Sequence, residues 1–567
     1  PNWVKYPGLL NHDIARVGIE ESRKLNLIVG GMVTDAIKTS FGPRGMEKVF
    51  IDILGEDTIT KHGGAFLRKI DVNHPVAKAI IEGVNTVDTH VGDGTISAAI
   101  LIGMLLKKSQ ELLKMGISPT TIIKGYEKSL EFALDILDEI KKEERFTDKK
   151  IMHSLATSCL AGKAVTSLVS DDISITNLIV DAVCSVTNFQ KKEIDIDDIK
   201  IEEKAGNANS IQLVWGAIID KTIDNSAMPR SIENAKILLL NEPLEIMRTK
   251  TDDQIEINSP EQMTLFLNQE TIDIHAKIKK IVNSGANVVI SRKGINSIAQ
   301  EYLAKAGIIS MRRVKMNDLF WIEKSTGAKI CKNLEDIFKE ELGFAKKVYE
   351  KNVGGDKMVF IEGCRNPKSV TILLRCNSKR YLDEFHRDAL NVIYVLRNFI
   401  ENSFIVRGGG STEAIIANKI RDQSTTVVGR EQIVIEKFAD AIEEIPITLA
   451  RNVGMDPIDT LTQLRSKYAN CPKGILKWYG IDSEKRKVSE IFSNEVIETL
   501  VVKQQIIKTG IEVTNMILKV DDIFMKDEID NTHCHIDGVV HAHHDGGKAH
   551  DHFEQEGLEQ RQMHHYY

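Results

Sequence analysis

The chain has 567 residues, 42% hydrophobic and 27% charged, the balance of a soluble globular protein with a sizeable core. A net charge of −7 argues against nucleic acid as the main partner, and no apolar run reaches the roughly 18 residues that a membrane span needs. No basic-then-apolar leader opens the chain, and the seven cysteines form no C-x-x-C pair. They read as free thiols in a reducing compartment, so the expected location is cytoplasmic.

In chain order, the first informative stretch is Thr39–Met46 (Thr-Ser-Phe-Gly-Pro-Arg-Gly-Met). The second, Gly92–Ser97 (Gly-Asp-Gly-Thr-Ile-Ser), runs into an Ala-rich helical segment. A Gly-Asp-Gly-Thr turn at a helix start offers unpaired backbone N–H groups to an anion, and Asp93 adds a carboxylate of the kind that holds Mg²⁺ beside phosphate. Taken alone, the same stretch also fits an ordinary turn. The helical pattern closes at Gly116, and a second helix from Pro119 keeps a 3.6-residue period through Ile122, Tyr126, Leu130, Ala133, Leu134 and Leu137. The Lys- and Glu-rich run 141–150 reads as a solvated joint, followed by strand-like runs at 210–219 and 236–240.

Ser259-Pro260-Glu261-Gln262 is a helix start, with a capping hydroxyl, proline at the first position and acid in the first turn. Its helix places Met263, Phe266, Leu267, Ile274, Ile278 and Ile281 on one side, with Leu265 and Ile272 off the stripe. From Tyr381 to Ile400, nine apolar residues including Phe385, Ala389, Val392 and Leu396 form one arc at about 100° per residue. Asp388 falls inside that arc, whereas Asp383, Glu384 and Arg387 fall outside it. A carboxylate on a buried face needs a partner, so Asp388 is either a structural ion pair or a functional group. A third glycine-rich stretch, Gly408–Glu413, follows. The last third returns to helix and strand, so the two ends of the chain read as halves of one discontinuous domain. Nine of the sixteen histidines fall in the tail 531–567, among them His533, His535 and His541. That tail reads as disordered and polar, although its His-x-His pairs can bind transition metals.

The three glycine-rich stretches, with others such as Asp71–Lys78, Asn234–Glu245, Met311–Lys315 and Val359–Cys364, resemble the group II chaperonins, the family of the archaeal thermosome and the eukaryotic cytosolic chaperonin. The wording is closer to archaeal subunits, and the resemblance covers about residues 15–525. It implies an α+β multidomain chaperonin fold. The equatorial domain would be 1–146 with 404–526, the intermediate hinge 147–214 with 367–403, and the apical domain 215–366 with a lid protrusion at about 245–282. A His-rich tail would follow at 527–567. It also implies ATP and Mg²⁺ as cofactors, related subunits in a double ring and non-native client proteins as partners.

The P-loop pattern is absent, so an ATP site must be built another way. By resemblance, Thr39, Gly42 and Pro43 line the nucleotide, Asp93 holds the metal, and Gly94, Thr95, Ile96 and Ser97 form the phosphate turn. Gly409 and Gly410 lie against ribose or base, with Glu498 and Asp482 nearby. Lys163 senses the terminal phosphate and Asp388 activates water. The family's Thr-Asn-Asp-Gly-Ala is Thr60-Lys-His-Gly-Gly64 here, so His62 stands where a second water-orienting carboxylate is expected. Ile96 replaces a threonine, and Cys376, Asn377, Arg407 and Thr499 also depart from the pattern. These changes set up an alternative: a structural or regulatory subunit that binds ATP and hydrolyses it weakly.

Overall fold

The computed structural model describes residues 14–17, 19–70, 72, 74–163, 165–166, 175–245, 260–334, 337–365, 367–471, 477–491, 496–520, 523–526, 532–534 and 540–542. The chain divides into two compact units, Asn26–Lys519 and the two ends together. In the smaller unit, Ile14–Val17 pairs antiparallel with Ile523–Lys526. Thr532–Cys534 and Val540–Ala542 also form an antiparallel pair in which His533 faces His541. These two short strands differ from the disordered tail expected there. The other tail histidines lie outside the described residues.

The large unit is an α+β assembly built on separate apolar cores. In one, the helices Pro75–Val91, Thr95–Lys114 and Pro119–Ile140 pack against Arg430–Ile442 and Leu500–Leu518, through residues such as Leu101, Tyr126, Phe438 and Ile507. Residues from the first and last thirds therefore bury one another. The Tyr126 ring is fully enclosed, and its hydroxyl donates to the Leu105 carbonyl at 3.1 Å, as a buried polar tip requires.

A second core lies under the largest sheet. Its strands run in the order Ile309–Met311, Val288–Ser291, Ser231–Leu240, Gly343–Val353, Asp356–Glu362 and Gly216–Ile219, with Ile330–Cys331 pairing parallel to Ser231–Leu240. The parallel strands Val288–Ser291 and Ile309–Met311 are buried along their whole length, which suits the apolar run Val288–Ile290, and the buried Ser310 hydroxyl donates to Asp224 at 2.9 Å. The run at 210–219 is two strands, Gln212–Val214 and Gly216–Ile219, separated at the half-exposed Trp215.

The helix beginning at Pro260 extends to Ser284. Ser259 and the side chains of Met263, Leu265, Phe266 and Leu267 lie outside the described residues. Ile274, Ile278 and Ile281 are buried in the sheet's core, while Ile272 is 58% exposed, as the off-stripe position predicts. The last turns of this helix are thus core. A protrusion cannot include all of 245–282, because those isoleucines cover the sheet.

A third core joins Lys149–Leu160, Ile175–Val186 and Lys379–Asn402 with the sheet Ile199–Ala205, Val370–Cys376, Gln212–Val214. The run expected as a solvated joint contains a short strand, Lys142–Glu143, that adds to Phe404–Arg407 and so ties this region to the helical core. Cys159, Cys184, Cys331, Cys364, Cys376 and Cys471 form no disulfide.

Candidate functional site

Where the first and third cores meet, a cavity of about 1130 Å³ opens. Its floor is backbone. Gly92 and Gly94 take positive φ of 71° and 84°, which turns the chain from the end of one helix into the start of Thr95–Lys114. No side chain caps that start, so the first-turn N–H groups at Thr95, Ile96 and Ser97 are left for a ligand. Asp93 Oδ1 accepts from the Gly94 N–H at 2.7 Å, which orients the carboxylate at the cavity wall. A Cβ at Gly94 would come within 2.7 Å of Ile506. The Ile96 side chain lies against Gly63, away from the role of its own N–H.

A second glycine turn faces the first. Gly409 and Gly410, at φ 65° and 76°, lead into the uncapped start of Ser411–Ser424 and line the cavity. Gly42 and Pro43 line it from the N-terminal turn, whereas Thr39 does not. Thr39 is exposed and its hydroxyl accepts from Lys48 Nζ at 2.6 Å, and the neighbouring Ser40 is the one that borders the cavity. Asp482 lines the cavity from a hairpin tip. Backbone N–H groups of Lys485 and Glu484 hold its carboxyl below the usual range.

Glu498 opens into the cavity and pairs with Lys503 Nζ at 2.7 Å, and that ammonium also reaches Glu413 Oε1 at 2.6 Å. Burial opposes the charge on Lys503, but the two carboxylates outweigh it and raise its pKa. Burial, with Glu413 as a like-charged neighbour, pushes Glu498 up. Periodicity alone does not single out Lys503, because one of its partners, Glu413, lies 90 residues away on the helix Ser411–Ser424.

Side chains make the opposite wall. Asp388, fully buried on the Lys379–Asn402 helix, lies behind His62 and Lys163, which line the cavity. Its Oδ1 meets His62 Nε2 at 2.9 Å and Lys163 Nζ at 3.4 Å, and its Oδ2 is buried with no hydrogen-bond partner. Burial alone would raise the Asp388 pKa, but the Lys163 charge and the His62 hydrogen bond win and hold it low. Burial likewise opposes the Lys163 charge, and the neighbouring carboxylates Asp388 and Asp93 help to raise its pKa.

Three further residues of this wall escaped sequence reading. Glu384, placed outside the apolar arc, is 2% exposed. Its Oε1 accepts from the Lys61 N–H at 2.8 Å and its other oxygen pairs with Arg387. A helical wheel sees one helix, and here the chain after the strand Asp57–Thr60 covers that face. The i,i+3 spacing of Glu384 and Arg387 was the available signal. Lys61 Nζ reaches the Gly162 carbonyl at 2.8 Å and the Pro43 carbonyl at 3.4 Å. Burial, helped by Lys163, pulls its pKa down to about 8. Asn391 Nδ2 lies 3.0 Å from His62 Nδ1.

The same long helix touches the Gly92–Ser97 turn. Arg397 donates to the His90 carbonyl and Asn398 to the Val91 carbonyl, both at 2.9 Å, and a Cβ on Gly92 would strike Tyr394.

Residues 33–528 match the description of the TCP-1/cpn60 chaperonin family. The chain belongs to that family. Among similar curated proteins, a thermosome subunit of Pyrococcus horikoshii is 40% identical over 90% of this chain and 92% of its own length. A thermosome subunit of Methanopyrus kandleri is 40% identical over 90% of this chain and 93% of its own. The thermosome subunit beta of Archaeoglobus fulgidus is 40% identical over 91% and 94%. The chain is therefore a group II chaperonin subunit with the family's α+β multidomain fold, and members of this family are ATPases that power folding. No helix among the described residues is long and apolar enough to cross a membrane.

Proposed function

We propose that this chaperonin subunit folds non-native proteins in the cytoplasm within a double ring of related subunits, driven by its own hydrolysis of ATP. The observation that carries the reading is the cavity itself, in which two uncapped helix starts, a carboxylate and a lysine converge opposite a buried aspartate with one free oxygen. The separate cores support an equatorial part that binds nucleotide, a hinge part that carries Asp388 and Lys163, and an apical part that meets clients.

The donor set fits Mg²⁺·ATP. The first-turn N–H groups of the uncapped helix start suit phosphate oxygens, and Asp93, at the cavity wall, is an oxygen donor of the type Mg²⁺ prefers. Bound there, the metal would neutralise charge on the phosphates. The N–H groups of the turn receive phosphate oxygens, and Lys163 pairs with the terminal phosphate. Asp388 Oδ2 accepts a proton from a water. That water's oxygen bonds to the terminal phosphorus as the bridging P–O bond breaks, and the bonding pair leaves on ADP. Asp388 then passes the proton to the departing orthophosphate. ATP gripped from both sides favours a closed arrangement of the cores.

The weak-hydrolysis alternative is less favoured, because His62 still reaches Asp388 and the other cavity groups are in place. The test is recovery of a chemically denatured client by purified particles with ATP, without ATP and with a non-hydrolysable analogue, with particle shape followed by electron microscopy. Double rings that rescue the client only with hydrolysable ATP are expected. A chain that stays monomeric at micromolar concentration with ATP and candidate partner subunits present overturns the reading.

A further inference from the structure

We propose that Asn391 is a positioning residue that fixes the tautomer of His62, making the histidine a hydrogen-bond donor to Asp388 and leaving Asp388 Oδ2 as the sole proton acceptor for the attacking water. The inference rests on the ATPase reading above for its catalytic meaning, and on hydrogen-bond logic for its geometry. An ionised carboxylate only accepts, so at 2.9 Å from Asp388 Oδ1 the His62 Nε2 carries the proton. In the neutral ring Nδ1 is then an acceptor, and Asn391 Nδ2, 3.0 Å away, is its donor. Both ring nitrogens are occupied, which leaves His62 no lone pair for water. Asp388 Oδ1 is likewise filled by His62 and Lys163, whereas Oδ2 is buried and unpartnered. Asn391 also lines the cavity one helical turn beyond Asp388, so it reaches the ring from the same helix.

The charged groups around the ring are Asp388 and Glu384, the latter 3.8 Å from Nε2, with Lys163 on Asp388 and Arg387 on Glu384. Lys61 adjoins in sequence, and Glu47 interacts with Lys61, Glu384 and Asp388. Three cations thus face three carboxylates, a balance that a neutral imidazole leaves undisturbed. The proton path is the one given above: water to Asp388 Oδ2, then to orthophosphate, with His62 keeping its proton throughout.

The test uses assembled particles of this subunit and three variants, read by phosphate release across pH and by ATP binding. Asn391→Leu removes the donor, and kcat is expected to fall about tenfold with KM for ATP within about twofold. Asn391→Asp turns the donor into an acceptor and protonates both ring nitrogens. Its kcat is expected to fall at pH 7 and to recover as pH rises by about one to two units, a pH shift that Asn391→Leu does not produce. With His62→Asp already present, adding Asn391→Leu is expected to change kcat less than about twofold, since Asn391 then has no ring to hold.

A second readout needs no turnover. Diethylpyrocarbonate modification of His62 in nucleotide-free particles, mapped by peptide mass spectrometry, is expected to be about tenfold faster in Asn391→Leu, where Nδ1 is freed. Equal modification rates, or an Asn391→Leu loss of the same size with and without His62, overturn the proposal. Wild-type particles with no phosphate release that Asp388→Ala abolishes overturn the ATPase reading instead, and the modification rates still decide the role of Asn391.

Discussion

The two walls of the cavity are built on different principles. The glycine-turn wall binds with backbone: N–H groups at Thr95, Ile96 and Ser97, turned inward by Gly92 and Gly94. The opposite wall works with side chains, Lys61, His62, Asp388 and Lys163, each held by a partner remote in sequence. A side-chain change therefore means little on the first wall and a great deal on the second. Ile96 in place of threonine removes a hydroxyl but keeps the N–H that the cradle needs. His62 in place of aspartate alters the group in contact with Asp388.

The largest effect is expected on the second wall. Asp388→Ala should lower kcat by about 10²–10⁴ with ATP binding retained, measured by phosphate release alongside equilibrium binding. Loss of binding in equal measure would show that Asp388 is a structural ion-pair partner. On the first wall, Gly94→Val forces a β-branched residue to a φ of 84° and toward Ile506, so ATP affinity should fall about tenfold or more by calorimetry. Unchanged affinity would separate the turn from the nucleotide.

His62→Asp should raise kcat severalfold, by about 3–10 times, because a second carboxylate beside Asp388 strengthens its pull on the water's proton. A slower variant would mean the histidine is itself the working group. Lys61 gives a pH signature. Its pKa of about 8 in the free cavity rises when a phosphate anion arrives, so between pH 8 and 10 ATP binding should take up a proton. Calorimetry in buffers of different ionisation enthalpy should show that uptake in wild type and its loss in Lys61→Met, and identical uptake in both rules Lys61 out. The smallest effect belongs to Ile96→Thr, with kcat and affinity within about twofold of wild type. A larger change would show that hydroxyls, as well as backbone, build the first wall.

What the sequence disclosed follows the same division. Glycine turns are local, so Gly92–Ser97 and Gly408–Glu413 point to the cavity floor directly from the order of their residues. The arc from Tyr381 to Phe399 is also local, and all of its members are buried except Tyr381 at the helix start, which is half-buried. Glu384, Lys61 and Asn391 were not legible, because what gives each its place is a contact across the fold. Thr39 shows the converse limit, since a residue inside a matching stretch turns its hydroxyl to Lys48 while its neighbour Ser40 meets the cavity. The Pro260–Ser284 helix shows how a boundary drawn by likeness overshoots, for Ile281 at its end is sealed in the sheet's core.

The helix Lys379–Asn402 spans both walls in one piece. Through Tyr394, Arg397 and Asn398 it grips the backbone just ahead of Asp93, and about 15 Å away, at about 1.5 Å per residue, it carries Asp388. Such a rod is a lever with its fulcrum on the Gly92–Ser97 turn. A tilt of about 10° there sweeps the far arm through about 2.6 Å, enough to part Asp388 from the His62 ring. A ligand that leaves one wall would thus be felt as disengagement of the other, and a single rigid body would couple the two.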